Sequence, residues 1–216
     1  MKIVVLTTAH RPNDDRIYYK EILGLRTRYP EIHVVAPVRP GETFDLGPGV
    51  VLHPVARRRG LAGRLWTVLA AAANVVRLKP AVCHFHDLEF VLAVPWLRLL
   101  SRTRFVYDVH EVYPESMLIS PRLPAALRPA VARAVALAEK FCARFCAYVV
   151  TADEPNSASF IRTGVPTATV FNYPRLALFQ VAPERVAELR RAYPGRRILV
   201  YQGTMARNRG LFHMLA

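Results

Sequence analysis

Histidines and carboxylates are concentrated around two short apolar stretches in the middle of the chain, residues 81–85 and 105–109. The first group consists of His84, His86 and Asp87, and the second consists of Asp108, His110, Glu111 and Glu115. An imidazole titrates near neutral pH, so it can donate or accept a proton, and a neighbouring carboxylate can orient it. These two groups are therefore the first candidates for a catalytic or binding site.

The elements that must position these groups are predicted to be neighbouring strands of one sheet. Apolar, β-branched stretches alternate with amphipathic ones, which is typical of an α/β fold with a doubly wound, Rossmann-like parallel sheet of about seven strands. The predicted strands are residues 2–7, 32–36, 50–53, 81–85, 105–109, 148–151 and 167–171. Ligands of such sheets bind beyond the carboxyl ends of the strands, so we expect both groups to line one wall of a cleft. In the alternative interpretation, Asp87 caps the next helix and the histidines simply find partners.

The predicted helices are residues 15–28, 61–78, 88–100, 125–146 with a break near Pro129, 154–163 and 183–193. Residues 112–123 are predicted to form a loop at the edge of the cleft, because three prolines punctuate them and the residue that follows. A polar segment, 175–196, then separates these elements from a new apolar strand at 198–202. The domain boundary is predicted there.

Four stretches of the chain carry motifs in a fixed order. They are HRPNDDRIYYKE at 10–21, HFHDL at 84–88, YDVHEVYPE at 107–115 and YQGTMARNRGL at 201–211. Together they resemble the amino-terminal half of the retaining, GT-B-fold glycosyltransferases of family 4, followed by the start of the second domain. The resemblance implies an acceptor-side domain at 1–174, a linker at 175–196 and the beginning of a nucleotide-sugar-binding domain at 197–216. It also implies that the chain is a fragment with little activity alone.

The resemblance implies roles for individual residues. His110 is the expected catalytic residue, beside the donor sugar or the acceptor hydroxyl, with Glu111 and Asp108 orienting it. The expected acceptor or cleft residues are His10, Asp15, Arg16, Lys20, His86, Asp87 and Glu115. The expected donor-phosphate residues are Gly203, Arg207 and Arg209. The first turn lacks the glycine pair of many family members, so His10, Arg16 and Lys20 are expected to act through their side chains. No metal and no cofactor is expected, and the nucleotide sugar is a co-substrate.

Positive charge dominates the composition, with 30 lysines and arginines against 16 aspartates and glutamates. This balance attracts polyanions such as nucleotide sugars or an anionic membrane, although an arginine-rich composition also follows from a GC-rich genome. Arginines 57–59 precede the apolar helix 61–78, so peripheral contact with an anionic membrane is a hypothesis. That helix is interrupted by polar residues and is not expected to span a membrane. With no signal peptide recognised and three cysteines expected in the core, a cytoplasmic location is expected.

Three rival functions remain open. A metal-dependent hydrolase would use His84, His86, Asp87 and His110, since a His-x-His pair on a strand directs both rings to one side. A nucleic-acid-binding module would use the net charge, but no recognition-helix or RNA-binding signature is present, so nucleic acid is not expected as a partner. A non-catalytic half that pairs with a separate donor-binding subunit is the third alternative.

Overall fold

The computed structural model describes residues 1–58, 60–173, 182–197 and 200–201. The chain divides into two compact units, Met1–Asn172 and Tyr173–Ala216. In the second unit, one helix, Pro183–Ala192, is described, and none of its residues is buried. Residues 200–201 lie outside any strand or helix. The rest of the predicted strand 198–202 and the predicted phosphate residues Gly203, Arg207 and Arg209 lie outside the described residues.

The first unit is built on a seven-stranded sheet in which every strand pairs in parallel with its neighbours. The strands are β1 (Ile3–Leu6), β2 (Ile32–Val38), β3 (Val50–Ala56), β4 (Val82–Phe85), β5 (Arg104–Val109), β6 (Tyr148–Thr151) and β7 (Thr167–Thr169). Their order across the sheet is β3-β2-β1-β4-β5-β6-β7. This confirms the predicted doubly wound α/β fold. Strand β3 runs three residues further than predicted, through Pro54, because an edge strand tolerates a residue without a backbone N–H.

Helices connect the strands of the first unit, and one further helix is described in the second unit. They are α1 (Leu23–Arg26, preceded by a π-helical segment Ile17–Ile22), α2 (Gly60–Leu78), α3 (Leu88–Val91), α4 (Val94–Leu100), α5 (Tyr113–Leu118), α6 (Arg128–Ala143, preceded by a 3-10 turn Ala125–Leu127), α7 (Glu154–Ile161) and α8 (Pro183–Ala192). The predicted helix 88–100 is in fact two helices, with Pro95 in the first turn of the second.

The predicted loop 112–123 also contains a helix, α5, and the prediction was wrong there. Pro114 lies in the first turn of α5, where its missing N–H costs nothing and its fixed φ suits a helix. The proline was interpreted as a helix breaker when it marks a helix start. The predicted helix 125–146 begins as a 3-10 turn, Ala125–Leu127, and continues as α6 from Arg128, with Pro129 in the first turn of α6.

Two apolar clusters cover the two faces of the sheet. The larger one includes Cys83, Phe85, Phe105 and Tyr107, together with residues of α2, α4 and α6. The cysteines 83, 142 and 146 are all buried and unpaired by disulfides, as expected for core residues. The smaller cluster includes Ile3 and Val5 on β1 and lies under the π-helical segment.

Alternation along β4 and β5 decides where their polar side chains go. Phe85 and Tyr107 are paired residues of the two strands and belong to the larger cluster. Successive side chains of a strand point to opposite faces, so His84, His86 and Asp108 face the other side. His84 is also the partner of Val5, which belongs to the smaller cluster. These polar residues therefore lie on the face that the π-helical segment covers.

Candidate functional site

The polar residues lie at the point where the winding of the sheet reverses. Strands β1 and β4 are neighbours, and the chain builds the sheet outward in opposite directions from this pair. At such a switch point the loops after the two strands diverge and leave a crevice, which is where doubly wound proteins bind ligands. The carboxyl ends of β1, β4 and β5 deliver Thr7, His86 and Asp108 to this crevice.

An ion pair joins the π-helical segment to the end of β5. Arg16 Nη2 donates to Asp108 Oδ1 at 2.8 Å and to Oδ2 at 3.1 Å, and Arg16 Nε donates to Glu21 Oε1 at 3.2 Å. The side chains of Arg16 and Asp108 are only 13% and 2% exposed. The π-helical turn explains the arrangement, because its backbone bonds Glu21 N to Arg16 O at 3.2 Å and so stacks these residues on one side.

Three histidines complete the cluster. His86 Nδ1 and His110 Nε2 are 2.8 Å apart, and their rings stack with centroids 4.9 Å apart. His86 Nε2 is 3.3 Å from Glu21 Oε2, and His84 Nε2 is 3.4 Å from Asp108 Oδ2. His110 Nδ1 is 3.7 Å from Asp108 Oδ1. We call Arg16, Glu21, His84, His86, Asp108 and His110 the polar cluster.

Burial and neighbouring charges set the protonation of the polar cluster. Burial, reinforced by the Asp108 charge, raises the pKa of Glu21 to about 9, so this carboxyl is protonated at neutral pH. Burial also lowers the pKa of His110 to about 4 and that of His86 well below its ordinary value, so both rings are neutral. Burial alone would raise the pKa of Asp108, but the His84 ring, whose Nε2 lies 3.4 Å from Oδ2, and the nearby His86 and His110 outweigh it and hold this pKa well below its ordinary range.

One arrangement of protons matches donors to acceptors along the whole cluster. The protonated Glu21 faces His86 Nε2 at 3.3 Å, His86 Nδ1–H donates to His110 Nε2 at 2.8 Å, and His110 Nδ1–H faces the ionised Asp108 at 3.7 Å. The first and last separations are longer than good hydrogen bonds, and Glu21 Oε2, His86 Nε2 and His110 Nδ1 are buried without a hydrogen-bond partner. Among described side chains, these atoms retain unused capacity to bond a ligand.

Asp87 ties the loop after β1 to the loop after β4. Its Oδ2 accepts from Thr7 Oγ1 at 2.8 Å and from Thr8 N at 2.6 Å, and His10 Nε2 lies 3.8 Å from Oδ1. Asp87 is the N-cap residue of α3, as the alternative interpretation predicts, but its side chain makes no capping bond to the helix. The hydrogen bond to Asp14 at 3.2 Å raises the pKa of His10, which burial alone would lower.

A cavity of about 220 Å³ opens beside the polar cluster. Arg16, Lys20, Glu21, His84, Asp108, Val150, Val170, Phe171 and Asn172 line it. Lys20 Nζ donates to Asn172 Oδ1 across the cavity rim. Four members of the polar cluster, Arg16, Glu21, His84 and Asp108, line the polar side of this cavity, whereas His86 and His110 do not line it. Its apolar side comes from β6 and the segment after β7.

The polar cluster also has the donor types of a metal site. Glu21, His86, Asp108 and His110 each offer one ligand atom, and these atoms lie within 4.8 Å of one another. The set differs from the predicted hydrolase set, because Asp87 is directed to the first loop and not to the histidines. The Arg16 guanidinium already supplies a positive charge 2.8 Å from Asp108. A second cation there would meet repulsion from Arg16, so this donor set does not fit a divalent metal well.

The structure brings Arg16, His86 and His110 together, and it places Lys20 on the adjoining cavity. Asp15, Glu111 and Glu115 are exposed, and the carboxylate beside His110 is Asp108. Glu21 was missed as a site residue. The sequence signal was present, since Glu21 shares the apolar spacing of Ile17 and Ile22, which are both buried.

Comparison with known proteins identifies relatives. Residues 3–175 match the model of Glycosyltransferase Family 4. No curated protein matches the chain. Among solved structures, Anabaena Alr3699/HepE in complex with UDP is 15% identical, with 89% of this chain and 50% of that chain covered and a TM-score of 0.55. Sucrose-phosphate synthase from Thermosynechococcus elongatus is 13% identical, with 88% and 52% covered and a TM-score of 0.62.

A third similar structure is "Trehalose-6-phosphate from E. coli bound with UDP-2-fluoro glucose", at 9% identity and a TM-score of 0.55, with 89% of this chain and 54% of that chain covered. At such identities the likeness establishes the fold alone, which is that of one half of a GT-B protein. The chain spans about half the length of these solved relatives.

Proposed function

The chain belongs to glycosyltransferase family 4, and from this membership we propose that it is the acceptor-side half of an enzyme that transfers a sugar from a nucleotide-sugar donor, with retention, to a glycan or lipid-linked acceptor. HepE in complex with UDP-glucose supports the choice of donor class. The chain is half as long as such relatives, so the donor-binding half would be a further domain or a separate subunit. The product would be a cell-surface polysaccharide or glycolipid, made at the cytoplasmic face of the membrane.

The polar cluster carries this proposal. Glycosyl transfer needs a positioned acceptor hydroxyl next to a positively charged, oxocarbenium-like carbon. His110 is neutral and held against His86 at 2.8 Å, so its ring presents Nδ1–H in a fixed direction. An oxygen of the donor sugar or the acceptor that entered the cluster would compete with Asp108 for this N–H, because Nδ1 is buried and lies 3.7 Å from Asp108 Oδ1. The neighbouring histidines hold the pKa of Asp108 down and so keep its negative charge, Arg16 Nη2 donates to both of its oxygens, and Asp108 fixes the proton on His110 Nδ1. Stabilisation of the departing diphosphate would fall to the donor-binding half.

Substitution of His110 tests this role. The assay follows radiolabelled sugar from a panel of nucleotide sugars into a membrane-lipid extract, with the polypeptide that includes this chain and its donor-binding half. We expect His110→Ala to lower the transfer rate about 100-fold or more, since acid–base and hydrogen-bonding groups contribute at least this much. NMR of the product's anomeric configuration tests retention.

A second histidine pair offers a matched control. His33 Nδ1 and His53 Nε2 are 2.9 Å apart on β2 and β3, which repeats the contact of His86 with His110 elsewhere in the same sheet. His53→Ala should lower the melting temperature by a similar amount and leave the transfer rate unchanged. Equal losses of rate and stability in both variants would make His110 a packing residue.

Peripheral membrane contact is part of the proposal, and helix α2 is its proposed surface. Leu61, Leu65, Trp66 and Leu69 are exposed by 87%, 61%, 45% and 57%. Among the described residues, α2 is the one helix long and apolar enough, by length and composition, to cross a membrane, so the expectation that composition excludes a span was too strong. Its opposite face packs Val68, Ala71 and Val75 into the core of the sheet. With one apolar face exposed and the opposite face packed on the sheet, α2 suits a helix that covers the sheet and lies on a membrane surface.

Vesicle co-sedimentation tests the membrane contact. We expect the chain to bind vesicles of phosphatidylcholine with rising phosphatidylglycerol content, and to release at high salt. Leu65→Ser/Leu69→Ser should weaken binding, because it removes two exposed apolar side chains and no charge. Unchanged sedimentation of this variant would remove the apolar face from the proposal.

A further inference from the structure

A second cavity at the carboxyl edge of the sheet is lined by four arginines. It has a volume of about 660 Å³. The lining residues are Thr8, Ala9, Arg57, Arg58, Gly60, Leu61, Arg64, Thr67, Arg122 and Leu123. They come from the loops after β1 and β3, the first turns of α2 and the segment between α5 and α6. Because β1 and β3 are strands of one parallel sheet, these loops leave the same edge that carries the polar cluster.

The charge in this cavity is not compensated. Among the described residues that line it, none is a carboxylate. The side chains of Arg57, Arg64 and Arg122 make no hydrogen bond or ion pair with any described residue. Arg58 stacks its guanidinium over the Trp66 ring at 4.3 Å, a contact that fixes the side chain and leaves its charge unneutralised. All four side chains are exposed, so solvent screens their mutual repulsion, but together they create a positive potential in the concave surface that attracts an anion.

The loop that carries Arg57 and Arg58 lies close against α2, and a glycine of this helix, Gly63, allows the close approach. A Cβ atom on Gly63 would lie 2.7 Å from both the carbonyl carbon and Cβ of Arg58. Only glycine therefore permits this close approach of the loop to the helix. The cavity also adjoins the candidate site, because Thr8 lines the cavity while its backbone N–H donates to Asp87 at 2.6 Å.

We propose that the four-arginine cavity binds a phosphate or diphosphate group of the acceptor and so holds the acceptor hydroxyl near the polar cluster. Guanidinium forks match the geometry of phosphate oxygens, and a doubly charged group would offset several of the four charges. The exposed leucines of α2 beside the cavity would meet a lipid that carries the phosphate. The identity of the ligand as an acceptor rests on the proposed glycosyl transfer, whereas the binding of phosphate does not.

Calorimetric titration of the full chain with inorganic pyrophosphate tests the site directly. We expect saturable binding of one pyrophosphate per cavity, and at least tenfold weaker binding by Arg64→Ser/Arg122→Ser. The charge-matched control is Arg28→Ser/Arg133→Ser, whose arginines are exposed and do not line the four-arginine cavity. The control should bind within twofold of the wild type. Equal losses in both double variants, or no saturation by the wild type, would reduce the effect to net charge and overturn the proposal.

A pair of glycine variants tests the geometry without changing any charge. Gly63→Ala should displace the loop and weaken pyrophosphate binding severalfold, whereas Gly24→Ala, where no atom lies within 4 Å of the added Cβ, should not. Unchanged binding by Gly63→Ala would mean that the arginines act singly. Circular dichroism melting of each variant confirms that the fold is retained.

Competition identifies the source of the phosphate. Displacement of pyrophosphate by phosphatidylcholine vesicles containing phosphatidic acid, but not by vesicles of phosphatidylcholine alone, would assign the cavity to a lipid-linked acceptor. Displacement by glucose 6-phosphate and not by vesicles would assign it to a soluble phosphorylated acceptor. Displacement by UDP with a large gain in affinity over pyrophosphate would assign it to the donor and overturn the acceptor role. Failure of sugar transfer leaves the binding result standing, so the two proposals fail separately.

Discussion

Replacement of Arg16 by methionine is the sharpest test of the polar cluster. Methionine keeps most of the length of the side chain and removes the guanidinium, whose Nη2 contacts the two Asp108 oxygens at 2.8 and 3.1 Å. Burial keeps His86 and His110 uncharged at neutral pH, and the Arg16 guanidinium is the permanent positive charge that bonds directly to Asp108. Arg16→Met therefore leaves a carboxylate that is 2% exposed without a cation.

The size of the effect follows from two limits. Removing one partner of a buried ion pair costs about 3–5 kcal/mol of unfolding free energy. The variant avoids an unpaired buried charge if Asp108 becomes protonated, and protonating an aspartate of ordinary pKa at pH 7 costs about 4 kcal/mol. The cost of protonation decreases by about 1.4 kcal/mol for each unit by which the pH is lowered. We therefore expect Arg16→Met to lose about 3–4 kcal/mol at pH 7 and about 1–2 kcal/mol at pH 5.

The sign of this dependence follows from the direction of the pKa shift. In the wild type the pKa of Asp108 is lowered, so its contribution to stability is present above the unfolded pKa and is lost as the pH falls. In the variant this pKa is raised, so the loss grows as the pH rises. Urea unfolding followed by circular dichroism at pH 5 and pH 7 measures the difference. Arg28, which is exposed, provides the control Arg28→Met, with an expected change within about 0.5 kcal/mol.

A double-mutant cycle gives the refuting result. Asp108→Asn leaves Arg16 next to Glu21, whose pKa would then fall because the Asp108 charge that raises it is gone. The double variant Arg16→Met/Asp108→Asn should therefore lose about 2 kcal/mol less than the sum of the single losses. Additive losses, or a loss for Arg16→Met that does not depend on pH, would show that the pair does not form in solution.

Three further predictions concern buried carboxyls and metals. Glu21→Gln mimics the protonated carboxyl. Because the pKa of Glu21 is raised to about 9 in the folded state, the stability of the wild type falls as the pH rises above the unfolded pKa, and the variant should become more stable relative to the wild type between pH 5 and pH 8. An equal pH dependence of unfolding in the two proteins would contradict this. Tyr107→Phe removes the 2.7 Å hydrogen bond to Glu139, whose pKa burial raises to about 7, and should lower the free energy of unfolding by about 1–3 kcal/mol. The loss should be larger at pH 8, where Glu139 is ionised in the wild type and depends on this donor. A loss that does not change with pH would argue against the bond. Zinc added to chelator-treated protein should not bind stoichiometrically, because the positive charge of Arg16 next to Asp108 repels a second cation. One zinc per chain in elemental analysis would restore the metal interpretation.

The fold could be predicted from the sequence because each strand is a short apolar segment between clear helix and turn signals. Parallel strands buried on both faces give nearly continuous apolar runs, and the run Ile3–Leu6 is a clear example. The errors fall at prolines. Pro114 starts a helix, Pro95 restarts one and Pro54 sits in an edge strand, and in each case the effect depends on a position that the dipeptide context does not reveal.

Only part of the candidate site could be predicted from the sequence. Local sequence places His84 and His86 on one face of β4, since alternation has a fixed period of two. It does not say which helix covers that face. Arg16 and Asp108 are 92 residues apart, and only the strand order and the π-helical turn bring them together. Glu111 and Glu115 follow His110 closely in sequence and yet are exposed, because the chain turns away into α5 after β5.

The location of the polar cluster argues for a function more strongly than its residue types do. Phe85 and Tyr107, which face the opposite side of β4 and β5, are fully buried, so the fold can cover these strands with apolar side chains. On the other face, the strands that could carry valines instead carry His86 and Asp108, each at most 1% exposed. Replacing a buried ionic network by apolar residues of similar volume often leaves stability unchanged or raises it, so the fold alone does not require this network. Its presence at the switch point, where ligands of such sheets bind, is the expected consequence of a site that needs fixed protons and one retained negative charge.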